Sequence, residues 1–502
     1  MNTINTVLSN NRPEDFSGDT LIIGLNSGLK RFPKQLEELD SRYCSIISDL
    51  LTYGVYEANR YKTYLITVPF ELPIHRIILA GLGKSDETTP DDVRKSAGAA
   101  IKVAQSYGGK VGIYYPELPD SYSKEAILSA MYEGILLGLY DFDKFKTRIK
   151  KKDKKSIASI SFLFPDEKIN PSYRKTIKDT EIVCDAVYFG RDLINSPGNV
   201  FTTRNLAVEA RKIGKSSKVR TTVYTEKALK SKGLNSILAV GGGSTSPPMM
   251  IILEYNGAAK NKKPLVLVGK GVTFDSGGLS LKPALNMEEM KQDMAGAGAV
   301  LSAFKSAVDL KLTLNLIAII PTVENMPSGS SYRPGDVITT YSGITVEVIN
   351  TDAEGRIILA DALSFANNFK PLAVIDVATL TGAAKIALGT VGCAVLSEDE
   401  KLIEQVMRAS DNTGEKAWRL PMWNEFDKQI KSHIADIRNS GGKEGGTITA
   451  AKFLANFTKG YRWLHIDIAN VDYASSENEI WKKGATGFGI RLLIDLLRNW
   501  KG

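Results

Sequence analysis

The stretch Asn350-Thr-Asp352-Ala-Glu354-Gly-Arg356 places two acids, a glycine and an arginine within seven residues. It follows a strand-like run, residues 344–349, and leads into an apolar, helix-like run. In an extended segment, side chains two residues apart point to the same side. We therefore expect Asp352 and Glu354 to face one point, with Arg356 in phase behind them if the chain stays extended. Two negative charges at such a short distance repel each other, which costs free energy unless a cation lies between them. This heptapeptide therefore predicts a metal site.

Composition describes a globular protein of 502 residues, 43% hydrophobic and 24% charged, which is long enough for two or three domains. The polar N-terminus lacks the order of a signal peptide, and no run approaches the roughly 20 apolar residues of a membrane span. The few cysteines indicate a reducing, cytoplasmic location and argue against a thiolate metal site. We expect all three to be small buried hydrophobes: Cys44, Cys184 and Cys393.

The net charge of +8 is largely local. Residues 141–155 contain three acids and eight basic residues, namely Lys144, Lys146, Arg148, Lys150, Lys151, Lys152, Lys154 and Lys155. Such a run is usually a solvated loop or domain edge, and we favour that interpretation. The alternative is a polyanion-binding patch, which would give the protein a nucleic-acid-binding or regulatory role.

The first third of the chain alternates between short apolar runs and amphipathic ones, which predicts a βαβ-type module. The predicted strands are 20–24, 64–68, 76–80, 110–114 and 157–163, and the predicted helices are 91–106 and 123–139. Ser123 is the expected N-cap of the second helix. We assign residues 1–165 to this module, 166–190 to a connecting helix and 191–502 to a second domain.

The second domain has glycine-rich loops between strong strands. Its predicted strands are 249–254, 264–268, 313–320 and 372–378, and its predicted helices are 286–308 and 361–369. This alternation indicates an α/β fold with a mostly parallel sheet flanked by helices. Function is then expected at the loops that leave the carboxyl ends of the strands.

Several common catalytic motifs are missing from the sequence. The chain has three histidines, His75, His433 and His465, and no HExxH motif, which excludes zincin-type hydrolysis. No GxSxG elbow and no Walker loop are present. His465 could be a ligand or a base, but it lies in an alternating strand pattern. A hydrogen-bonded structural histidine is the favoured interpretation.

With these motifs absent, the remaining candidates for catalysis or metal binding are carboxylates and lysines. Lys270 ends a buried strand, Asp275 follows in a glycine-rich loop, Lys282 comes seven residues later, and Asp293 lies on the next helix. Lys270 and Asp275 leave one strand while the heptapeptide leaves another. The carboxyl ends of parallel strands share one edge of a sheet, so we expect these residues to meet.

Three or four carboxylates at one point could bridge two divalent ions about 3.5–4 Å apart, as in two-metal hydrolases. Carboxylate ligands suit Mn²⁺, Mg²⁺ or Zn²⁺. A lysine in such a cluster can be a ligand only as a neutral amine, and a second, charged lysine can polarise a carbonyl oxygen. Arg356 cannot be a base and could hold an anion. A two-metal phosphoesterase is an alternative with the same metal chemistry.

At these residues the chain resembles the leucine aminopeptidase (cytosol aminopeptidase) family of bacterial type. The matching segments, besides the heptapeptide, are residues 191–197, 269–275, 281–283, 324–327, 332–336, 378–382 and 484–487. The resemblance covers about 170–502, and more loosely the N-terminal part. It implies a smaller N-terminal α/β module of macro-like fold and a larger catalytic domain.

The resemblance also implies roles for single residues. One ion would be bound by Asp275, Asp352 and Glu354, and the other by Lys270, Asp275, Asp293 and Glu354. Lys282 and Arg356 would be the catalytic pair, with Lys282 stabilising the oxyanion and Arg356 positioning a bicarbonate anion. The substrate-binding residues would be Met290, Asn350, Thr379, Leu380, Gly382 and Ala469.

The implied activity is release of N-terminal residues from short peptides with a free α-amine, using Mn²⁺ or Zn²⁺. The family further implies a homohexamer. The sequence departs from the usual pattern at Asn470, where glycine is common, and at Asp472, where a less polar residue is common. Asp472 either points to solvent or makes the pocket less strictly leucine-like.

Overall fold

The computed structural model describes residues 4–29, 32–68, 72–116, 121–148, 155–165, 168–216 and 218–501. The chain divides into two compact units. The first comprises Met1–Tyr188 and Ser475–Lys483, and the second comprises Phe189–Ala474 and Gly484–Gly502. The division falls within one long helix, Pro171–Asn195.

The first unit is built on a six-stranded sheet in the order β1-β6-β5-β2-β4-β3. Its strands are β1 (Asn5–Ser9), β2 (Gly18–Ser27), β3 (Thr63–Thr67), β4 (Ile74–Lys84), β5 (Gly109–Tyr114) and β6 (Ile157–Leu163). Its helices are α1 (Glu37–Arg42), α2 (Ile46–Thr52), α3 (Pro90–Gln105) and α4 (Lys124–Gly138), followed by α5 (Pro171–Asn195). Every strand pair is parallel except β3 with β4.

The predicted strands and helices of this unit are present. Ser123 caps α4 as expected, because its side chain accepts a hydrogen bond from the Ala126 amide at 3.2 Å. Strand β1 was missed because it is short and partly exposed, so its sequence carries little alternation.

The second unit contains the remaining strands and helices. The strands are β7 (Val219–Tyr224), β8 (Met249–Asn256), β9 (Leu265–Gly269), β10 (Gly271–Asp275), β11 (Asn315–Asn325), β12 (Val337–Thr339), β13 (Thr345–Glu347), β14 (Ala373–Ala378), β15 (Cys393–Leu396), β16 (Ala417–Arg419), β17 (Ile437–Arg438), β18 (Arg462–Asp467), β19 (Tyr473–Ala474) and β20 (Gly484–Ala485). The helices are α6 (Thr203–Ile213), α7 (Glu226–Lys232), α8 (Asn235–Gly241), α9 (Ala295–Asp309), α10 (Glu354–Ala366), α11 (Gly382–Leu388), α12 (Glu400–Thr413), α13 (Gly446–Ala455) and α14 (Ile490–Arg498).

A nine-stranded sheet forms the core of this unit, in the order β16-β15-β18-β14-β9-β11-β8-β7, with β10 beside β11. The central strands β18, β14, β9 and β11 run parallel, whereas β8 and β15 pair antiparallel to their central neighbours. Every residue of β9 is buried, as expected for a strand with helices on both faces. The prediction of a two-domain α/β chain is confirmed, with a sheet that is parallel at its centre and mixed at its sides.

Two helix predictions need correction. The predicted helix 286–308 is a 3-10 helix, Met287–Met294, followed by α9 from Ala295. The predicted helix 361–369 begins earlier, at Glu354, and ends as α10 at Ala366. Sequence periodicity shows the apolar face of such a helix but does not fix where its first turn begins.

The cysteine prediction is wrong at one position, since Cys184 and Cys393 are buried but Cys44 is exposed. In the basic run, the four described residues are exposed outside helices and strands: Lys144, Lys146, Arg148 and Lys155. The other four, Lys150, Lys151, Lys152 and Lys154, lie outside the described residues. Contact with nucleic acid through this run stays a prediction.

Across the described residues, the helices are all too short or too polar to cross a lipid bilayer.

Candidate metal centre

Acids and lysines from several strand ends meet at one edge of the nine-stranded sheet. Lys270 follows β9, and Asp275 is the last residue of β10 rather than part of a free loop. Asp293 lies in the 3-10 helix that precedes α9, and Glu354 is the first residue of α10. The expectation that parallel strand ends would bring the segments together agrees with this placement.

Each lysine joins a pair of acids. The Lys270 Nζ lies 2.7 Å from Asp293 Oδ1 and 2.9 Å from Glu354 Oε1. The Lys282 Nζ lies 2.7 Å from Asp275 Oδ2 and also contacts Asp352 Oδ1. The five metal-ligand candidates and Lys282 therefore form two ion-paired groups, one around each lysine.

Three of the carboxylates form the core of the cluster. Asp275, Asp293 and Glu354 each offer an oxygen within 4.8 Å of the other two, and all three are buried. It is the one group of this kind found in the part of the chain that the structure describes. Asp352 lies at its outer side, with a side chain 34% exposed against 2% for Glu354.

Burial and mutual repulsion dominate the electrostatics of the acids. Burial raises the pKa of Asp275 and of Asp293, and the charge of Glu354 raises both further. The pKa of Asp352 is raised by burial and by Asp275. The nearby lysines only partly offset these effects, because four carboxylates face two ammonium groups.

The lysines show the reverse balance. Burial alone would lower the pKa of Lys270, but Asp293, Glu354 and Asp275 outweigh it and raise that pKa above its ordinary value. The same acids raise the pKa of Lys282. Lys270 is therefore held as an ammonium by the acids alone, and it could become a neutral ligand only when cations offset their charge.

The donor set fits divalent metal ions. Asp293 Oδ2 and Glu354 Oε2 are buried and have no hydrogen-bond partner among the described residues. A buried carboxylate oxygen without a partner is costly, and a cation at the cluster would satisfy both oxygens. Oxygen donors with one amine match the preferences of Mn²⁺ and Zn²⁺.

The heptapeptide is not extended, so the expected alignment of Asp352, Glu354 and Arg356 is wrong. The chain turns at Asp352, whose amide donates to the Asn350 side chain at 2.9 Å, and then enters α10. Thr351 fixes the turn, since its hydroxyl donates to the Gly277 carbonyl at 2.6 Å. The two acids still reach one cluster, but from its outer and inner sides.

Two glycines allow this close packing. A Cβ at Gly355 would lie 2.5 Å from the Lys270 Cε. Gly277 has φ +86°, in the left-handed region that glycine favours, and a Cβ there would lie 2.9 Å from Asp352 Oδ1. The lysines and acids can approach the backbone only because these positions lack side chains.

Arg356 lies in the first turn of α10 and is 8% exposed. Its Nη1 donates to the Asn439 carbonyl at 2.7 Å, whereas its Nε has no hydrogen-bond partner among the described residues. Burial lowers the pKa of Arg356 to about 10, so the guanidinium stays charged at neutral pH. The free donor is compatible with an anion-holding role.

The predicted substrate residues lie in loops, except Met290 in the 3-10 helix before α9 and Gly382 at the start of α11. Thr379 is buried, Met290, Asn350, Leu380 and Ala469 are half-buried, and Gly382 is exposed. Thr379 is tied to the cluster directly, because its hydroxyl donates to Asp293 Oδ1 at 2.8 Å and its carbonyl accepts from Lys270 Nζ at 2.8 Å.

Asn470 and Asp472 are also buried, so the interpretation that Asp472 points to solvent is wrong. The Asn470 amide nitrogen donates to the carbonyls of Gly389 and Gly392 at 2.8 and 2.6 Å. It therefore ties the β18 loop to the segment after α11.

His465 is the structural histidine that its strand pattern predicted. It is fully buried, and its Nδ1 lies 2.6 Å from Asp376 Oδ1. Asp376 also accepts from the Trp463 indole at 2.6 Å. Both contacts are within the core of the sheet.

Sequence reasoning assigned no role to several supporting residues. The Asn325 amide donates to Asp275 Oδ1 at 2.8 Å, and the Tyr332 hydroxyl donates to the Thr351 carbonyl at 2.7 Å. Asn439 holds Arg356, and Asp467 accepts from the amides of Leu380 and Ala469. Asn325 and Tyr332 lie within segments 324–327 and 332–336, whose resemblance to the family could have marked them as supporting residues.

The sequence matches two family models. The catalytic domain of the cytosol aminopeptidase family matches residues 188–494, and its N-terminal domain matches residues 22–148. A probable cytosol aminopeptidase of Syntrophotalea carbinolica is 42% identical over 465 residues, which covers 92% of this chain and 94% of that protein. Another, from Geobacter sp. (strain M21), is 40% identical over 492 residues and covers 98% of this chain and 99% of its own.

Solved structures of similar fold include the bottromycin maturation enzyme BotP in complex with Mn. It has a TM-score of 0.82 at 31% identity and covers 96% of this chain and 99% of its own. A mutant of tomato leucine aminopeptidase has a TM-score of 0.89 at 33% identity, covering 99% of this chain and 96% of its own. The matches extend over both units, and the chain belongs to the cytosol aminopeptidase family.

Proposed function

We propose that this protein is a two-metal aminopeptidase that releases N-terminal amino acids from short peptides. The observation that carries the proposal is the buried cluster of Asp275, Asp293 and Glu354, where two carboxylate oxygens lack hydrogen-bond partners. Family membership supports peptide hydrolysis over phosphoester hydrolysis, the other chemistry that such a cluster could serve.

The division of the cluster supports two ions rather than one. Asp352 lies on the outer side with Lys282, and Asp293 lies on the inner side with Lys270. Asp275 and Glu354 lie between them and would contribute to both positions. One ion would be held by Asp275, Asp352 and Glu354, and the other by Lys270, Asp275, Asp293 and Glu354.

Mn²⁺ or Zn²⁺ suits these ligands, and the manganese named with one solved relative favours trying Mn²⁺ first. When bound, such ions lower the pKa of a water molecule and polarise the substrate carbonyl. The rest of the chemistry falls to the side chains of this chain.

The free, neutral α-amine of a peptide would bind at the metal-loaded cluster and would contact Asp293 there. Because the amine must lie at the cluster, only the first peptide bond reaches the reacting position. This geometry would restrict cleavage to one residue at a time from the N-terminus.

Lys282 is the more accessible of the two lysines, with a side chain 21% exposed against 4% for Lys270. Its ammonium group would stabilise the negative charge that develops on the carbonyl oxygen. Arg356 would hold a bicarbonate-like anion through its free Nε donor, and that anion would carry the proton that the guanidinium itself cannot accept.

Exposed apolar side chains support assembly into an oligomer, for which the family-based expectation is a homohexamer. Large exposed hydrophobic residues of the second unit include Leu285 (83%), Ile386 (90%), Trp418 (65%) and Trp423 (65%). Contact with another copy would cover side chains of this kind if they form one patch on the surface. Sedimentation velocity would test this, and a monomer at micromolar concentration would contradict it.

The function is tested by removing the metal. Dialysis against a chelator should abolish hydrolysis of an aminoacyl-anilide, and Mn²⁺ or Zn²⁺ should restore it with about two ions bound per chain. An N-acetylated substrate is the matched control and should not be cleaved. Full activity in metal-free protein, or preferential hydrolysis of nitrophenyl phosphate, would overturn the proposal.

A further inference from the structure

Asp467 lies where two loops leave the centre of the nine-stranded sheet. It is the last residue of β18, is fully buried, and is paired in register with Ala378, the last residue of β14. The loop after β14 carries Leu380, and the loop after β18 carries Ala469. Both residues stand among the substrate-binding candidates.

One carboxylate joins the two loops. Asp467 Oδ1 accepts hydrogen bonds from the Leu380 amide at 3.1 Å and from the Ala469 amide at 3.2 Å. Its Oδ2 accepts from the Thr381 hydroxyl at 2.7 Å. Both oxygens are thus used, and every partner lies in one of the two loops.

The loop after β14 is fixed from the opposite side by the metal centre. The Thr379 carbonyl accepts from Lys270, and the Thr379 hydroxyl donates to Asp293. Residues 379–381 therefore span the distance between the acidic cluster and Asp467. A shift at the Asp467 end would move the Leu380 backbone relative to the cluster.

We propose that Asp467 is a positioning residue that sets the spacing of the Leu380 and Ala469 loops, and through them the binding of the substrate's N-terminal residue. This inference rests on the proposed aminopeptidase function. Among the described residues, Asp467 makes no hydrogen bond or ion pair with the ion-binding carboxylates or the predicted catalytic pair, although its charge favours the Arg356 guanidinium. It sets the loops through backbone geometry.

The carboxylate is needed because its two oxygens only accept. An asparagine would present its NH₂ group either to the two backbone amides, which then lose their acceptor, or to the Thr381 hydroxyl, which then has to accept and can donate only to Thr447. Asp467→Asn therefore disturbs the loops with little change in side-chain volume.

Asp376 provides a matched control. It is a fully buried aspartate on the adjacent strand β14, and it also accepts hydrogen bonds through both oxygens. Its partners, Trp463 and His465, belong to the core of the sheet rather than to a loop. Asp376→Asn should cost stability without moving the substrate loops.

The experiment compares metal-loaded, full-length Asp467→Asn and Asp376→Asn with the parent by melting temperature, metal content, KM and kcat on leucyl-anilide. We expect Asp467→Asn to raise KM by about 10-fold or more at parental metal content, as the loss of a buried hydrogen bond implies. Asp376→Asn should lower the melting temperature but keep the parental KM. A parental KM in Asp467→Asn, or an equal rise in both variants, would overturn the proposal.

Thr381→Val gives a second variant that keeps the carboxylate and removes the Thr381 hydroxyl, which donates to Asp467, contacts the Thr447 hydroxyl and caps α11. It should raise KM by a smaller factor, and the effects of Thr381→Val and Asp467→Asn should be non-additive in the double variant. If Asp467→Asn fails to fold, an unchanged KM in Thr381→Val overturns the inference. A parent without aminopeptidase activity would overturn the proposed function as well, whereas an active parent with unaffected variants overturns only the role of Asp467.

Discussion

Gly355 lies directly against Lys270: a Cβ at position 355 would be 2.5 Å from the Lys270 Cε and 2.8 Å from its Nζ. The second residue of α10 thus makes room for the lysine that reaches both Asp293 and Glu354. Glycine is needed at position 355 for space rather than for an unusual backbone conformation, because a methyl group there would overlap the Lys270 side chain.

Gly355→Ala should therefore weaken metal binding while leaving the fold intact. The added methyl group would displace the Lys270 amine, so the inner half of the cluster would lose one of its proposed ligands. We expect metal affinity to fall by about 10-fold or more, in the range seen when the surroundings of a ligand are altered. Calorimetric titration with Mn²⁺ measures this. Gly329→Ala is the control, because a Cβ at Gly329 has no atom within 4 Å.

Lys282→Ala should lower kcat by about 10²–10³-fold, the usual effect of losing one donor to a developing oxyanion. Metal content should stay at the parental value, because the proposed ion-binding set does not include Lys282. Steady-state kinetics and elemental analysis on the same preparation check both statements. Lys291→Ala removes a half-buried lysine from the nearby 3-10 helix and should leave kcat unchanged. Parental turnover in Lys282→Ala would remove that residue from the reaction.

Arg356→Lys should also lower kcat, although the positive charge is retained. Lysine lacks the planar fork through which arginine can hold an oxyanion while donating to the Asn439 carbonyl. We expect added bicarbonate to stimulate the parent in degassed buffer and to have little effect on the variant. Equal stimulation of the two proteins would argue against an anion at Arg356.

Stability should depend on pH through His465. Burial opposes protonation of this histidine, but the charge and hydrogen bond of Asp376 outweigh it and raise its pKa. Asp467 also favours the charged form and Arg356 opposes it. Because the pKa of His465 is higher in the folded than in the unfolded protein, its contribution to stability is complete below the unfolded pKa of about 6.5. That contribution is lost as pH rises through the folded pKa.

Melting temperatures between pH 6 and 9 would show this effect as a decline in the parent that is flatter in His465→Gln. His433→Gln is the control, since His433 is exposed and should keep the parental slope. Identical slopes in the parent and in His465→Gln would contradict the assignment of this titration to His465.

Much of the fold follows from the sequence because its strands are strongly apolar. The buried runs that became β9, β11 and β14 were visible as such, and the meeting of Lys270, Asp275 and Glu354 followed from the rule that parallel strand ends share an edge. The roles drawn from the family resemblance for these residues are still predictions.

The local path of the heptapeptide could not be predicted. Its turn depends on hydrogen bonds from Thr351 to Gly277 and from Tyr332 to Thr351, residues that are distant in sequence. Asp467 was missed for a similar reason, because two of its three partners, Leu380 and Thr381, belong to a loop that begins almost ninety residues earlier. Hydrophobic periodicity indicates which residues of a helix or strand are buried. It carries no information on hydrogen bonds between side chains that are distant in sequence.

The acidic cluster is more deeply buried than some of the candidate substrate residues, and this difference affects which positions can be substituted during evolution. Lys270, Asp275, Asp293 and Glu354 are locked together, so a substitution at one of them disturbs the other three. The candidate substrate residues Met290 and Gly382 are half-buried and exposed, respectively, and neither belongs to that cluster. Under the proposed function, substitutions at these two positions can accumulate singly, and the range of accepted substrates can drift while the reaction itself is inherited unchanged.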